Sequence, residues 1–359
     1  NSFNLSTSQP GSPAGSLAKS IARDGPPQGV NRRFMQNTFL KKALPLGLLA
    51  AFFFAFTFLL NRSMHLSGGS WVWSASLRYL FTFPVFALLV ARKGGFARVH
   101  GAIKRNPGRW LLWSTVGFGL FYAPNTFAGD HGESWLIAAS WQVTIVMGML
   151  LAPLFHQRIA LKNLGAAAVI LAGVFLLQAK NVETLQLDSV AATLLPILVA
   201  AVSYPLGNRK MMALCAGELS TIERVYGMTL CSLPFWIALA GYGLVTKGLP
   251  SASQTLQSLG VALFSGVVAT LLFFRATDLV KSNQKQLAVV ESTQSFEVLF
   301  TLLGGVFVLH DAAPDKLGYL GVGLIVAGMV LSSLSSLSRN REKLPESKEC
   351  APTEQEYAE

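Results

Sequence analysis

The sequence predicts an all-α integral membrane protein of ten transmembrane helices, arranged as two inverted five-helix repeats with the N- and C-termini both cytoplasmic. Three observations predict it: ten apolar runs, cations crowded into alternate gaps between those runs, and collinear matches between the two halves of the chain.

The runs span residues 43–60, 71–90, 110–127, 135–155, 163–178, 190–207, 225–244, 256–274, 287–309 and 317–337. At 1.5 Å of rise per residue, about twenty helical residues cross a hydrocarbon core roughly 30 Å thick. Lipid offers no partner to backbone N–H and C=O groups, so only helices or closed barrels span it, and barrel strands alternate with period two. These runs show no such alternation and are therefore helices. The composition agrees, with 52% hydrophobic and 13% charged residues, where a soluble domain averages about 25% charged.

Orientation follows from the cations. The N-terminal arm carries Lys19, Arg23, Arg32, Arg33, Lys41 and Lys42, and the second gap carries Arg92, Lys93, Arg98, Lys104, Arg105 and Arg109. Later even gaps hold Arg158, Lys162, Arg209, Lys210, Arg224, Arg275, Lys281 and Lys285, and the tail holds four more, whereas the odd gaps hold at most one each: Arg62, Lys180, Lys247 and Lys316. Positive charge stays inside, so both termini are cytoplasmic. The net charge of +11 is then topology and attraction to anionic lipid, not a sign of nucleic acid binding.

Residues 1–42 are rich in Ser, Gly, Pro and Asn and read as a disordered cytoplasmic tail, with a targeting segment as the other reading. Residues 43–180 and 189–338 form the two five-helix repeats, and 339–359 a charged cytoplasmic tail. Cys215, Cys231 and Cys350 have no paired spacing, and the dispersed histidines make no ligand pair, so neither disulfide nor metal is expected.

The repeats rest on four matches at offsets of about 150 to 155 residues. Ser140-Trp-Gln142 matches Ser292-Thr-Gln294, and Ile170-Leu-Ala-Gly173 matches Ile325-Val-Ala-Gly328. Pro84 matches Pro234, and Leu44-Pro45 matches Leu195-Pro196. Five is odd, so the second copy inserts upside down, the architecture with which secondary transporters build two gates around a midplane site.

Arg78-Tyr-Leu in the second helix and Leu164-Gly-Ala-Ala-Ala-Val-Ile-Leu-Ala-Gly173 in the fifth resemble the drug/metabolite transporter superfamily. Phe127-Ala-Gly-Asp-His-Gly-Glu-Ser-Trp135, Ser203-Tyr-Pro-Leu-Gly-Asn-Arg-Lys210 and Ala288-Val-Val-Glu-Ser-Thr-Gln-Ser-Phe-Glu297 are similar to its ten-helix multidrug resistance efflux transporters. The resemblance implies proton-coupled export of small lipophilic or cationic compounds. It also leaves amino-acid or other metabolite export open, and a non-transporting membrane sensor or assembly protein is the reading from another class. Two departures stand out. Helices four and nine end in His156-Gln157 and His310-Asp311 where many members have Gly-Glu, and the first run lacks the acid that couples protons in the four-helix members.

Glu297 is the strongest site candidate. It lies ten residues beyond Leu287, about 15 Å along a helix and near midplane, where a charge faces the protein interior or a wet cavity. On a continuous helix Glu291, Gln294, Ser295, Glu297 and Thr301 share one half of the surface. The other reading of Glu297 is a static interhelical hydrogen bond or ion pair.

Arg78 is either a counter-charge for Glu297 or an anionic substrate group, or a snorkelling side chain, or the static partner of Asp130 or Glu133. Gln142 can donate and accept in a midplane cavity or simply join helices. Asn125 after Pro124 and Tyr204 beside Pro205 mark either plain proline kinks, the ordinary outcome in membrane helices, or breaks in helices three and six that expose backbone to substrate. Trp141, deeper than the others, either packs in the helix core or stacks on a lipophilic cation. Trp71, Trp73, Trp110, Trp113 and Trp135 fall at predicted interfaces, and Ala168, Ala172, Gly323 and Ala327 form small-residue stripes suited to helix contact.

No Gly-x-x-x-x-Gly-Lys-Ser/Thr loop is present, so ATP is not expected to drive the protein. Asp130-His-Gly-Glu133 lies in a short outer turn, suited to gating or charge balance rather than hydrolysis, and no enzyme activity or cofactor is expected. The expected partners are a small-molecule substrate, protons or another coupling ion, and lipids of the plasma (inner) membrane, with homodimerisation left open.

Overall fold

The computed structural model describes residues 39–155, 161–183, 187–280 and 284–341. The expected tails before 39 and beyond 341, the His156-Gln157 pair, Arg158 and Lys281 lie outside the described residues. Among the described residues every regular element is helical.

A short π turn, Phe39–Ala43, leads into α1, Leu44–Leu66, whose Pro45 occupies the first turn, where its missing N–H costs nothing. The Ser70 hydroxyl then accepts from Val72 N at 3.3 Å and starts α2, Trp71–Arg92. After the short basic α3, Phe96–Arg105, the third run consists of α4, Pro107–Ser114, a π segment, Thr115–Gly119, and α5, Leu120–Gly129. The fourth run is split into α6, Ser134–Trp141, and α7, Val143–Leu150. The first half closes with α8, Leu161–Glu183.

The second half opens with α9, Leu187–Cys215, which passes through Pro196 and Pro205 without interruption. A capping box between Ser220 and Glu223 starts α10, Thr221–Lys247, and Gly248, at φ +72°, ends it in a backbone geometry that side chains disfavour. Next come α11, Ala252–Val261, a second π segment, Ala262–Ala269, and α12, Thr270–Val280. The ninth run is again split, into α13, Gln284–Ser292, and α14, Ser295–Val308, before α15, Lys316–Arg341.

Among the described residues, five helical stretches are long and apolar enough to cross a membrane: Lys41–Leu66, Trp71–Arg92, Val190–Cys215, Thr221–Lys247 and Ala252–Val280. Three further apolar stretches, Ser134–Leu150, Leu164–Leu177 and Lys316–Ser332, are shorter. The outer surface is apolar as lipid requires, with Phe175, Phe307 and Val245 each more than two-thirds exposed.

The packing alternates between the halves. α1 lies against the 252–280 stretch and α14, whereas α9 lies against the 107–129 stretch, α6 and α7; α2 pairs with α10, and α8 with α15. The α8–α15 crossing is close because glycines face one another: a Cβ on Gly173 would sit 2.7 Å from the Gly321 carbonyl oxygen, and one on Gly321 would sit 2.8 Å from that of Gly173. The small-residue stripe expected at Ala168, Ala172, Gly323 and Ala327 is on the wrong face. Those four residues are exposed, and the contact runs through Ala166, Ile170, Gly173, Gly321, Ile325 and Gly328. Spacing of four marks a stripe without choosing between two parallel stripes, and here the bulky Ile170 and Ile325 pack into the contact.

Two large apolar clusters make most of the core, with a small third one at Ala43, Ala276, Val280 and Val290. One of the large clusters gathers Trp141, Ile170, Ile197 and Ile325, the other Tyr79, Phe118, Tyr122 and Trp236.

Candidate functional site

Between the two large clusters lies a cavity of about 570 Å³. Glu297, Glu291, Gln294, Gln142, Arg78, Asn125, Trp141 and Tyr204 all line it.

Arg78 is buried, 9% exposed, in the middle of α2. Its Nη1 donates to Thr57 Oγ1 and its Nη2 to Ser265 Oγ, both at 3.3 Å, and the two hydroxyls bond to each other. The guanidinium lies 4.1 Å from the Tyr122 ring centre, and Asn61 Nδ2 donates to the Tyr122 hydroxyl at 3.1 Å. Both static expectations for Arg78 are therefore corrected. It does not snorkel, and it pairs with neither Asp130 nor Glu133. Asp130 instead accepts from Trp71 N at 3.2 Å and meets His65 at 3.4 Å.

Glu297 stands in the first turn of α14, not halfway along an unbroken helix. The backbone tightens just before it: Gln294 N bonds Glu291 O, Phe296 N bonds Thr293 O and Glu297 N bonds Gln294 O, each three residues back. Hydroxyls compete for the same carbonyls, with Ser292 Oγ donating to Val289 O at 2.8 Å and Thr293 Oγ1 to Val290 O at 2.6 Å. An equivalent break stands at Gln142, whose N bonds Ala139 O and whose O accepts from Ile145 N. The two glutamines of the Ser140-Trp-Gln142 and Ser292-Thr-Gln294 sequence match thus occupy the two breaks.

Of the two readings of Pro124 and Pro205, the broken helix is not found: both prolines lie inside continuous helices. The polar face of the ninth run is corrected too. Glu291, Gln294 and Glu297 line the cavity, but Ser295 and Thr301 are buried and donate back to Ser292 O and Glu297 O, because the break rotates the two halves off a single 100° wheel.

The Gln142 side chain lies beside the Glu297 carboxyl, and its Nε2 donates to Ala138 O at 3.1 Å. Glu291 is exposed toward the cavity mouth, and the buried Gln294 Nε2 has no hydrogen-bond partner. Trp141, Phe121 and Tyr204 form one aromatic wall, with ring centres 5.0 Å, 4.8 Å and 5.8 Å apart. Asn125 is buried beside them on α5.

One end of the helical bundle is tied together by side-chain contacts. Asp311 accepts from Ser134 N at 2.9 Å, from Ser134 Oγ at 2.6 Å and from Arg62 Nε at 3.1 Å, tying the ends of α1 and α14 to the start of α6. Gln254 Nε2 donates to Ser70 O at 2.7 Å, Trp73 Nε1 to Gly248 O at 3.0 Å and Trp135 Nε1 to Ala312 O at 2.9 Å. Trp73 and Trp135 are therefore interhelical ties rather than members of an interfacial belt, and Trp110, 1% exposed, is packed against Gly227 and Val99. Toward the other end the lining passes through Asn208, Arg224, Glu291 and Ser332.

A family described as EmrE, "Putative multidrug resistance efflux transporter", matches residues 41–338. The chain belongs to this family. It is 48% identical over 319 residues to "Uncharacterized protein YjlA" of Bacillus subtilis (strain 168), covering 85% of this chain and 98% of the relative. It is 46% identical over 266 residues to "Uncharacterized 42.1 kDa protein in intracellular alkaline protease 3'region" of Shouchella clausii, covering 71% and 70%. A solved crystal structure shares the fold at a TM-score of 0.55 and 13% identity, over 84% of this chain and 98% of the other.

This EmrE-family protein is thus a multi-pass integral membrane protein of a transporter family, whose substrate is a small molecule. Sequence reasoning missed several residues of its cavity and tied end. Thr57 and Ser265 hold Arg78, Arg224 lines the mouth, and Asp311 organises the tied end. Thr57 carried a signal as a lone hydroxyl in a phenylalanine-rich run, whereas Arg224 was indistinguishable from a cation that merely sets topology.

Proposed function

We propose that this protein is a proton-coupled secondary exporter in which the central cavity takes substrate from the cytoplasm and Glu297 carries the coupling proton. The observation that carries the reading is the placement of a carboxyl in the first turn of a half-helix, on the wall of a cavity that also holds a buried arginine. A half-helix N-terminus favours the ionised carboxylate through the helix dipole, while apolar surroundings favour the protonated form, so occupancy of the site can tip the balance.

The reading includes ten spans in two inverted repeats, residues 43–180 and 189–338, in the plasma membrane with both termini cytoplasmic. The exchanged packing supports it: what α1 does to the 252–280 stretch and α14, α9 does to the 107–129 stretch and to α6 and α7, and the remaining pairs join counterparts. With the cations inside, the Asp311 seal faces outward and the Arg224 mouth faces the cytoplasm. This corresponds to an inward-facing exporter awaiting cargo. Proton entry from outside requires the seal to open, and cargo release follows Glu297 protonation.

The test is transport by purified protein in proteoliposomes under an imposed pH gradient, with a panel of amino acids and lipophilic cations. Accumulation should collapse with a protonophore and need no ATP. ATP-dependent transport in gradient-free vesicles would overturn the reading.

A further inference from the structure

The cavity's unused hydrogen-bonding capacity is one-sided. Among the described lining residues, the buried side-chain atoms left without a partner are Arg224 Nε and Gln294 Nε2, and both are donors. Arg78 adds to the imbalance. Its guanidinium has five N–H groups, its hydrogen bonds go to two neutral hydroxyls, and none of the ion pairs among the described residues includes it. A buried cation with no anion in contact is costly, and buried donors without acceptors add to that cost. A ligand that brings an anionic acceptor group removes both penalties at once.

We propose that the transported substrate carries a carboxylate, bound at Arg78 with Gln294 and Arg224 as further donors, on an apolar body that lies against Trp141, Phe121 and Tyr204. This rests on the transport reading and narrows it, away from simple lipophilic cations. Arg224 stands where α10 begins and Arg78 midway along α2, so the carboxylate has one cationic station at the mouth and one at depth. Guanidinium suits the role because its planar fork can hold a carboxylate through two parallel bonds. Glu297 and Glu291 leave room for a protonated amine on the same molecule, so a zwitterion fits as well as a simple acid. Proton coupling is consistent with such cargo, because protonating Glu297 withdraws the negative charge that an amine needs while leaving both arginines in place.

The experiment uses the full chain in nanodiscs and a matched set of probes: phenylalanine, 3-phenylpropionate, phenylalanine amide, phenethylamine and tetraphenylphosphonium. Binding is read by tryptophan fluorescence, since Trp141 lines the cavity, and by thermal shift. The carboxylate-bearing probes should bind about tenfold or more tightly than the amide and the amine. Arg78→Lys should keep part of that preference and Arg78→Gln should erase it. Arg224→Gln, at the less buried mouth, should weaken carboxylate binding without erasing the preference.

Tighter binding of phenethylamine or tetraphenylphosphonium than of either carboxylate overturns the proposal, as does a failure of both carboxylates to bind folded protein. The two readings fail separately. Gradient-driven export of a lipophilic cation alone would sink the carboxylate and leave the transporter, whereas Arg78-dependent carboxylate binding without gradient-driven flux would do the opposite.

Discussion

Arg78 and Glu297 line the same cavity, yet no ion pair joins them. Arg78 is held by Thr57, Ser265 and the face of Tyr122, and Glu297 lies beside Gln142. Each charge has neutral groups beside it, and each can therefore change partner without the other being torn from a salt bridge.

Glu297→Gln should keep the hydrogen-bonding shape at Gln142 and remove the proton site. Substrate exchange between the two sides should persist, and pH-driven accumulation should fall at least about tenfold. Counterflow and gradient-driven uptake in the same proteoliposome preparation measure the two, and retained accumulation at equal protein would remove Glu297 from the coupling step.

The Asp311 seal should resist opening. Asp311→Ala leaves Arg62 and the Ser134 amide without their acceptor, and breaking a buried charge pair costs about 3 kcal/mol. The loss falls on the sealed state, so a single cysteine at Asn125 should react faster with impermeant maleimide from the Asp311 side in this variant. Unchanged labelling would mean that the seal lies elsewhere.

Orientation is checked by single cysteines at Lys247 and Lys93. Lys247 should label from outside the cell and Lys93 only from the cytoplasm. The reverse pattern would invert the whole assignment, including which end of the cavity faces cargo.

At the α8–α15 crossing, Gly173→Val should destabilise the detergent-solubilised protein by about 1–3 kcal/mol, because the new side chain meets the Gly321 backbone rather than a movable side chain. Gly323→Ala, with open space around it, serves as the control and should leave the melting temperature within error.

Much of the fold was legible because lipid imposes a simple code: the apolar runs reported the helices. The cavity residues were legible for the same reason, since Glu297, Arg78 and Gln142 are expensive in apolar surroundings and stand out there. What escaped was geometry that depends on neighbours. Hydroxyl groups at Ser292 and Thr293 accompany the break in the ninth run, whereas Pro205 leaves its helix whole, so proline alone does not locate the breaks. Which glycines meet at α8 and α15 depends on helix rotation, and spacing alone does not encode it. Asp311 looked like a departure from pattern until the start of α6 was brought against it.

The indoles of Trp73 and Trp135 each donate to a loop carbonyl at the tied end, on Gly248 and Ala312, and each ring is otherwise enclosed. Opening that end must break both bonds and wet both rings, and indole emission moves to longer wavelength as water reaches it. The molecule thus carries its own optical gauge of which side is open: with the other indoles replaced, a red shift on adding cargo would report the outward-facing state in real time, without any attached dye.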